Sequence, residues 1–160
     1  MMQERVCEIA EEELIRHKLF NERKTPLQKY KELVIGDKSL LQLIKYELVT
    51  TLLGPIPGAL GLTLRKLFYP MLFKHIGKGV IFGQNVVIRH SDKIRLGNRV
   101  VLDDYCLIDA RGSGEDGLII GDDSIINRGV TIKSKVGPIH IEASANIGAA
   151  TVIISMGGDT

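Results

Sequence analysis

The stretch IGKGVIFGQNVVI, residues 76–88, carries the period that decides the fold. Ile76, Phe82 and Ile88 stand six residues apart in it. The same spacing returns as Leu96, Leu102, Ile108, then as Ile120, Ile126, Ile132, and again as Ile141, Ile147, Ile153. A small residue often follows the aliphatic one: Gly77, Gly83, Gly97, Gly121 and Gly148. Four residues after the aliphatic comes a second modest side chain: Val80, Val86, Val100, Cys106, Ser124, Val130, Val136, Ala145 or Thr151. Self-similarity at a fixed period sets the whole fold and outranks local propensity.

Six residues per side and three sides per turn make one coil of a parallel β-helix. The aliphatic residue points into a narrow triangular core, and the small residue lets the backbone turn at the corner. Neither an amphipathic helix nor a hairpin has period six. The rival is a sandwich with regularly spaced strands. Against it, all twelve inward positions hold Ile, Leu or Phe.

The repeat is interrupted, and the interruptions are phased. Ile88 to Leu96 is eight residues, Ile108 to Ile120 twelve, and Ile132 to Ile141 nine. Each excess follows a third repeat, so all three insertions are expected at one corner of the prism, as a ridge beside the coils. Loops on one face of a repeat array are often its binding face. The insertions run from Arg89 to Lys93, from Asp109 to Gly117 and from Lys133 to His140, and they contain His90 and His140. Stacked strands lie about 4.8 Å apart, so His90 and Asp109, one coil apart, are within reach of a direct or water-bridged contact. Asp103-Asp104 and Asp122-Asp123 fall at turns, where aspartate commonly bonds the backbone.

Segments such as IGKGVIFGQNVV, LGNRVVLDDYCL, IGDDSIINRGVT and NIGAATVI closely resemble the hexapeptide-repeat acyltransferases, whose coils form a left-handed β-helix. The resemblance spans Ile76 to about Gly158 and is more specific for fold than for activity. It implies the left hand, a homotrimer, and acetyl-CoA as co-substrate without a metal. It also implies acyl transfer to a hydroxyl of a sugar or glycolipid, with a loop-borne histidine as general base at an interface between subunits.

Acyl transfer needs a base to take a proton as the nucleophile attacks the thioester, and the pKa of histidine suits that task. Carried onto this chain, His90 is the candidate base, with Asp109 or Asp92 orienting it. The alternative is a surface His90 bonded to a neighbouring carboxylate. Lys133 and Lys135 are candidates for the coenzyme phosphates as point charges, or else solvated loop lysines. Asp92, Asp104, Arg111, Asn127 and His140 are candidate acceptor contacts, with a structural role the stronger reading of His140. Two other catalytic readings of the coil fare poorly. A β-helix carbonic anhydrase needs three metal-binding imidazoles, and only His90 and His140 lie in the coils as bounded here. A nucleotidyltransferase needs a preceding α/β domain for which the prefix is too short. A non-catalytic scaffold built on the same repeat remains open. So does an enzyme like the serine O-acetyltransferases, although their large helical N-terminal domain exceeds this prefix.

Residues 1–75 read as a helical segment and residues 76–160 as the repeat domain. Glu4 to Arg23 has helical spacing, with acids first and bases last, which suits the helix dipole. Thr25-Pro26-Leu27-Gln28 and Ser39-Leu40-Leu41-Gln42 are capping-box patterns, the first with Pro at the opening helical position. The first of these helices should stop by Gly36, and the second at Gly54-Pro55. Leu48 to Leu64 is seventeen residues without a charge, near the lower limit of a membrane span. Its central Gly-Pro-Ile-Pro-Gly breaks a helix, so a helical hairpin is expected. Arg65, Lys66 and Lys74 flank it beside Phe68, Tyr69 and Phe73. Two readings stand: residues 48–73 attach peripherally to the inner membrane face, or the hairpin caps the open first coil and fills the space between subunits.

A net charge of +2 without a basic, aromatic-laced stripe gives no footprint for nucleic acid. Cys7 and Cys106 lack metal-ligand spacing, and Cys106 falls at a core position as a buried thiol. Two such cysteines and no secretory signal pattern predict a cytoplasmic protein. Four coils are few for the family, and the expected open end at Met156 to Thr160 reads as the front part of a longer protein.

Overall fold

A computed structural model describes residues 24–156 of the chain. Cys7 and the helix expected over Glu4–Arg23 lie outside these residues, as do Gly157 to Thr160. Three helices come first: α1 (Pro26–Val34), α2 (Leu40–Leu53) and α3 (Gly58–Phe68), followed by a 3-10 turn at Tyr69–Leu72. Twelve short strands follow. They are β1 (His75–Ile76), β2 (Ile81–Phe82), β3 (Val87–Arg89), β4 (Ile94–Leu96), β5 (Val101–Leu102), β6 (Leu107–Asp109), β7 (Leu118–Ile120), β8 (Ile125–Ile126), β9 (Thr131–Val136), β10 (Ile139–Ile141), β11 (Asn146–Ile147) and β12 (Val152–Met156).

The strands wind into a β-solenoid of about four turns with three parallel sheets. The first sheet is β1-β4-β7-β10, the second β2-β5-β8-β11 and the third β3-β6-β9-β12. The register follows the hexapeptide positions. Ile76 pairs Leu96, Leu96 pairs Ile120, and Ile120 pairs Ile141. Phe82, Leu102, Ile126 and Ile147 form the second column, and Ile88, Ile108, Ile132 and Ile153 the third. Each inward aliphatic therefore stacks on its equivalent in the next turn. Phe82, Ile88, Ile108, Ile120, Ile126 and Ile132 are wholly buried, each worth about 1.5–3 kcal/mol over an exposed side chain.

The corners work by two devices. At Gly97 a Cβ would strike the Asp122 side chain and backbone of the next turn, so stacked backbones approach too closely for a side chain. Three residues after the inward aliphatic, the backbone takes positive φ instead: Gly79, Asn85, Arg99, Tyr105, Asp123, Gly129, Ser144 and Ala150. Six of these are not glycine, an uncommon state for L-residues. A bond along the stack holds it, as Arg99 N–H to Lys78 O at 2.8 Å, Asp123 N–H to Asn98 O at 2.9 Å and Ser144 N–H to Asp122 O at 2.7 Å. Val136 departs from the expected corner series. It ends the long strand β9 opposite Met156 and is half-buried.

The helices start as their caps require. Thr25 with Gln28 and Ser39 with Gln42 each form both capping-box bonds. Gly36, at φ +73°, follows the end of α1. Gly54 to Pro57 separates α2 from α3, which pack as a hairpin over the first turn. The edge of a parallel sheet exposes unpaired backbone, and the prefix satisfies much of it. The Tyr46 hydroxyl donates to Ile88 O at 2.7 Å, His90 N–H to Val34 O at 2.8 Å, and Asn85 N–H to Gly54 O at 3.1 Å. Tyr69 and Phe73 place their ring centroids 5.2 and 5.7 Å from that of Phe82.

Arg65 fastens this cap and corrects its expected place at a membrane surface. It is 3% exposed. Its Nε donates to Phe82 O at 3.0 Å, and Nη1 to Leu53 O at 3.1 Å and Ile56 O at 2.7 Å. A guanidinium thus meets the C-terminal carbonyls of α2, where helix bonding and the dipole both call for a cation. Tyr69 is likewise wholly buried. Among the described residues, no helix is long and apolar enough to cross a membrane.

Candidate functional site: the insertion corner

All three insertions leave the third sheet and rejoin the first, so they stack at one corner. They are also tied together. Lys93 Nζ reaches Arg111 O at 3.4 Å, Gly112 N–H donates to Ser134 O at 2.8 Å, and Gly137 N–H donates to Gly112 O at 3.0 Å. The first insertion is a 3-10 turn, Ser91–Lys93, entered through His90 at φ +54°. The second, after Asp109, is pinned by Ser113 Oγ–H to Ala110 O at 2.8 Å and exposes only its tip, Gly114 to Asp116. The third is shorter as a loop than the sequence suggested. Lys133 to Val136 continue β9, and Ile139 already begins β10.

His90, Asp92, Asp109 and Arg111 come together here. His90 is 7% exposed, and its ring lies against Gly36, with Nδ1 and Cε1 both 3.4 Å from where a Gly36 Cβ would stand. Burial pushes its pKa below the ordinary imidazole value. Asp109 and Asp92 pull it back up, while Lys93 and Arg111 reinforce the fall. The net balance favours the neutral ring. Among the described residues no hydrogen bond joins it to either carboxylate, and the buried Nε2 has no partner. The carboxylates act on it through space only. His90 is thus not the exposed loop residue of the alternative reading, because the α1–α2 junction closes over it.

The two carboxylates have other duties. Asp109 is wholly buried. Its Oδ1 accepts from Arg111 N–H at 3.0 Å, and Oδ2 sits 3.8 Å from Arg89 Nη1. Asp92 lies 3.0 Å from Lys38 Nζ, out of line for a hydrogen bond. Lys133 pairs with Asp109 across the strands, and Lys135 stands two residues on along the same face of β9.

Other candidates fall elsewhere. Asp104 and Asn127 sit at the corner between the second and third sheets. Asp104 Oδ1 accepts Gln84 N–H at 2.6 Å, and Asn127 Nδ2 donates to Asn146 Oδ1 and Ile147 O at 2.7 and 2.6 Å. Both hold one turn to the next. Asp122 does the same through Asn98, whose bonds hold its carboxyl below the usual range. Asp123 instead pairs with Arg99 through two bonds of 2.6 Å. His140 is exposed on β10, with Nδ1 3.9 Å from Glu142 Oε1.

Sequence reading missed two features. His75 belongs to β1, one residue before the expected boundary, in a column that runs through Arg95 and Ile119 to His140. Three strand spacings, about 14 Å, separate the two imidazoles. Among the described residues no three His, Cys, Asp or Glu side chains converge as a metal site. The closed state of His90 was the second omission, because Val34 and Gly36 lie more than fifty positions away. Cys106 is a buried free thiol whose pKa burial raises. No protein-family model matches the chain, and neither the curated proteins nor the solved structures contain a significant match to it.

Proposed function

We propose that this solenoid is an acyl-CoA-dependent O-acyltransferase unit, of the left-handed kind its segments resemble, moving an acetyl group to a sugar or glycolipid hydroxyl. The observation that carries the reading is the ridge: three phased insertions, hydrogen-bonded to one another, gather His90, Asp92, Asp109, Arg111 and the β9 lysines at one corner. In the reaction the acceptor oxygen attacks the thioester carbonyl, His90 takes the hydroxyl proton, the C–S bond breaks, and coenzyme A leaves with that proton. A neutral imidazole is the state a base requires. The Val34–Gly36 turn must lift before an acceptor reaches Nε2. Lys133 and Lys135 are assigned to the coenzyme phosphates, and Arg111, Asp92 and His140 to the acceptor. The active unit is proposed as a homotrimer.

Thiol release from acetyl-CoA, measured with a panel of sugar and glycolipid acceptors, tests the reading. The expected result is acceptor-dependent release that falls about 10²–10⁴-fold in His90→Gln. Release that His90→Gln leaves unchanged removes His90 as the base. The second reading is a scaffold without chemistry, favoured by the closure of His90 under the cap. Absence of release with every acceptor would select it.

A further inference from the structure

Helices α2 and α3 carry apolar residues on two opposite faces. On α2, Leu43, Tyr46, Val49 and Leu53 face the interior. Leu41, Ile44, Leu48 and Leu52 recur every three or four residues on the far side, 77%, 46%, 55% and 62% exposed. That spacing keeps them on one stripe. On α3, Gly61 and Arg65 face the interior, while Leu60 and Leu67 are 66% and 69% exposed. Lys45 Nζ donates to Met71 O at 2.7 Å. This brings the middle of the first stripe, around Ile44 and Leu48, near exposed Met71, just past the end of the second. The solenoid core is complete without these residues, and an apolar surface of this extent marks an interaction site.

Charge identifies the occupant. No Asp or Glu occurs between Glu47 and Asp92. Glu47 itself is engaged by the Tyr30 hydroxyl at 2.6 Å. Lys66, next to Leu67, and Lys74, which follows the 3-10 turn, are exposed and form no ion pair or hydrogen bond among the described residues. An apolar face with Lys66 and Lys74 unpaired beside α3, and with Glu47 taken up by Tyr30 on α2, on helices too short to span, suits the headgroup boundary of an anionic bilayer. We propose that the outer faces of α2 and α3 lie on an anionic lipid surface, with the solenoid standing above it. Arg65, one of the three cations that the sequence placed in this role, is buried and not part of the surface. The proposal does not depend on catalysis. If the ridge is an acyltransferase site, the attachment selects acceptors borne on lipid.

Flotation of the full chain with phosphatidylcholine vesicles, with and without phosphatidylglycerol, is the test. The protein should rise with the anionic vesicles only. Leu52→Gln/Leu67→Gln should weaken this about tenfold or more, from the apolar burial it removes, with an unchanged circular dichroism spectrum and melting temperature. Lys66→Glu/Lys74→Glu should abolish the preference for anionic lipid. The proposal is overturned if the wild-type chain stays below the anionic vesicles at low salt. It is equally overturned if the leucine double variant floats like wild type. A fall in solution mass in that variant, with no flotation of either protein, would assign the face to a second copy of the chain.

Discussion

Ile108 in the solenoid and Leu52 in the helical cap are both large aliphatic residues in regular elements, yet the first is wholly buried and the second is 62% exposed. In the solenoid a residue's environment follows from its place in the six-residue period, because each turn presents the same surface to the next. In the cap the environment depends on which face of a helix meets the first turn. The inner faces of α2 and α3 satisfy that turn's backbone through Tyr46 and Arg65. The outer faces carry more leucines, and these stay exposed. One region is specified by repetition, the other by docking.

The largest effect should come from the core of the repeat. Ile108→Ala is expected to cost about 2–5 kcal/mol in urea denaturation, while Leu52→Ala stays within about 0.5 kcal/mol. Equal losses would erase the contrast between the regions. Next comes the fastening between them. Arg65→Met leaves the Leu53, Ile56 and Phe82 carbonyls without their donor and should cost about 2–4 kcal/mol. Hydrogen exchange should then show α2 and α3 losing protection while β5 to β9 keep theirs. Uniform loss across both regions would mean that cap and solenoid unfold as one unit.

A pH titration sharpens the same seam at His90. Its folded-state pKa is depressed from 6.5, so the unfolded chain binds its proton first. The stability it permits is complete above pH 6.5 and falls as pH drops from there towards the folded value. The slope is at most about 1.4 kcal/mol per pH unit. His90→Gln should flatten that limb, and an unchanged slope would place the titrating group elsewhere. The smallest effect is at Tyr69, whose buried hydroxyl has no hydrogen-bond partner among the described residues. Tyr69→Phe should raise stability by roughly 0.5–1 kcal/mol, and a loss of that size would show that the hydroxyl is bonded.

Much of the fold was legible because its signals are local or periodic. Both capping boxes lie within four consecutive residues, and the twelve inward positions repeat at fixed spacing. The positive-φ corners were not legible. Arg99, Tyr105 and Asp123 have no side-chain property in common that marks a left-handed backbone. Stack hydrogen bonds from the previous turn impose it. The candidate site was legible only as a place. The phasing of the insertions located the corner and drew His90, Asp92, Asp109 and Arg111 to it. Asp104 and Asn127, equally polar in the sequence, turned out to bind the backbone or side chain of adjacent turns at another corner.

By itself, then, the sequence determined the three-sided coil, its register, the corner from which the insertions leave and the starts of the two capped helices. Each of these depends on residues near one another along the chain or on a fixed six-residue period. Only the tertiary structure decided that Arg65 points inward to the first turn, that His90 is sealed beneath the α1–α2 junction, and that α2 and α3 keep an apolar face uncovered. Those outcomes depend on which surface a helix presents to a neighbour distant in sequence. Helices with leucine on both faces leave that choice to packing.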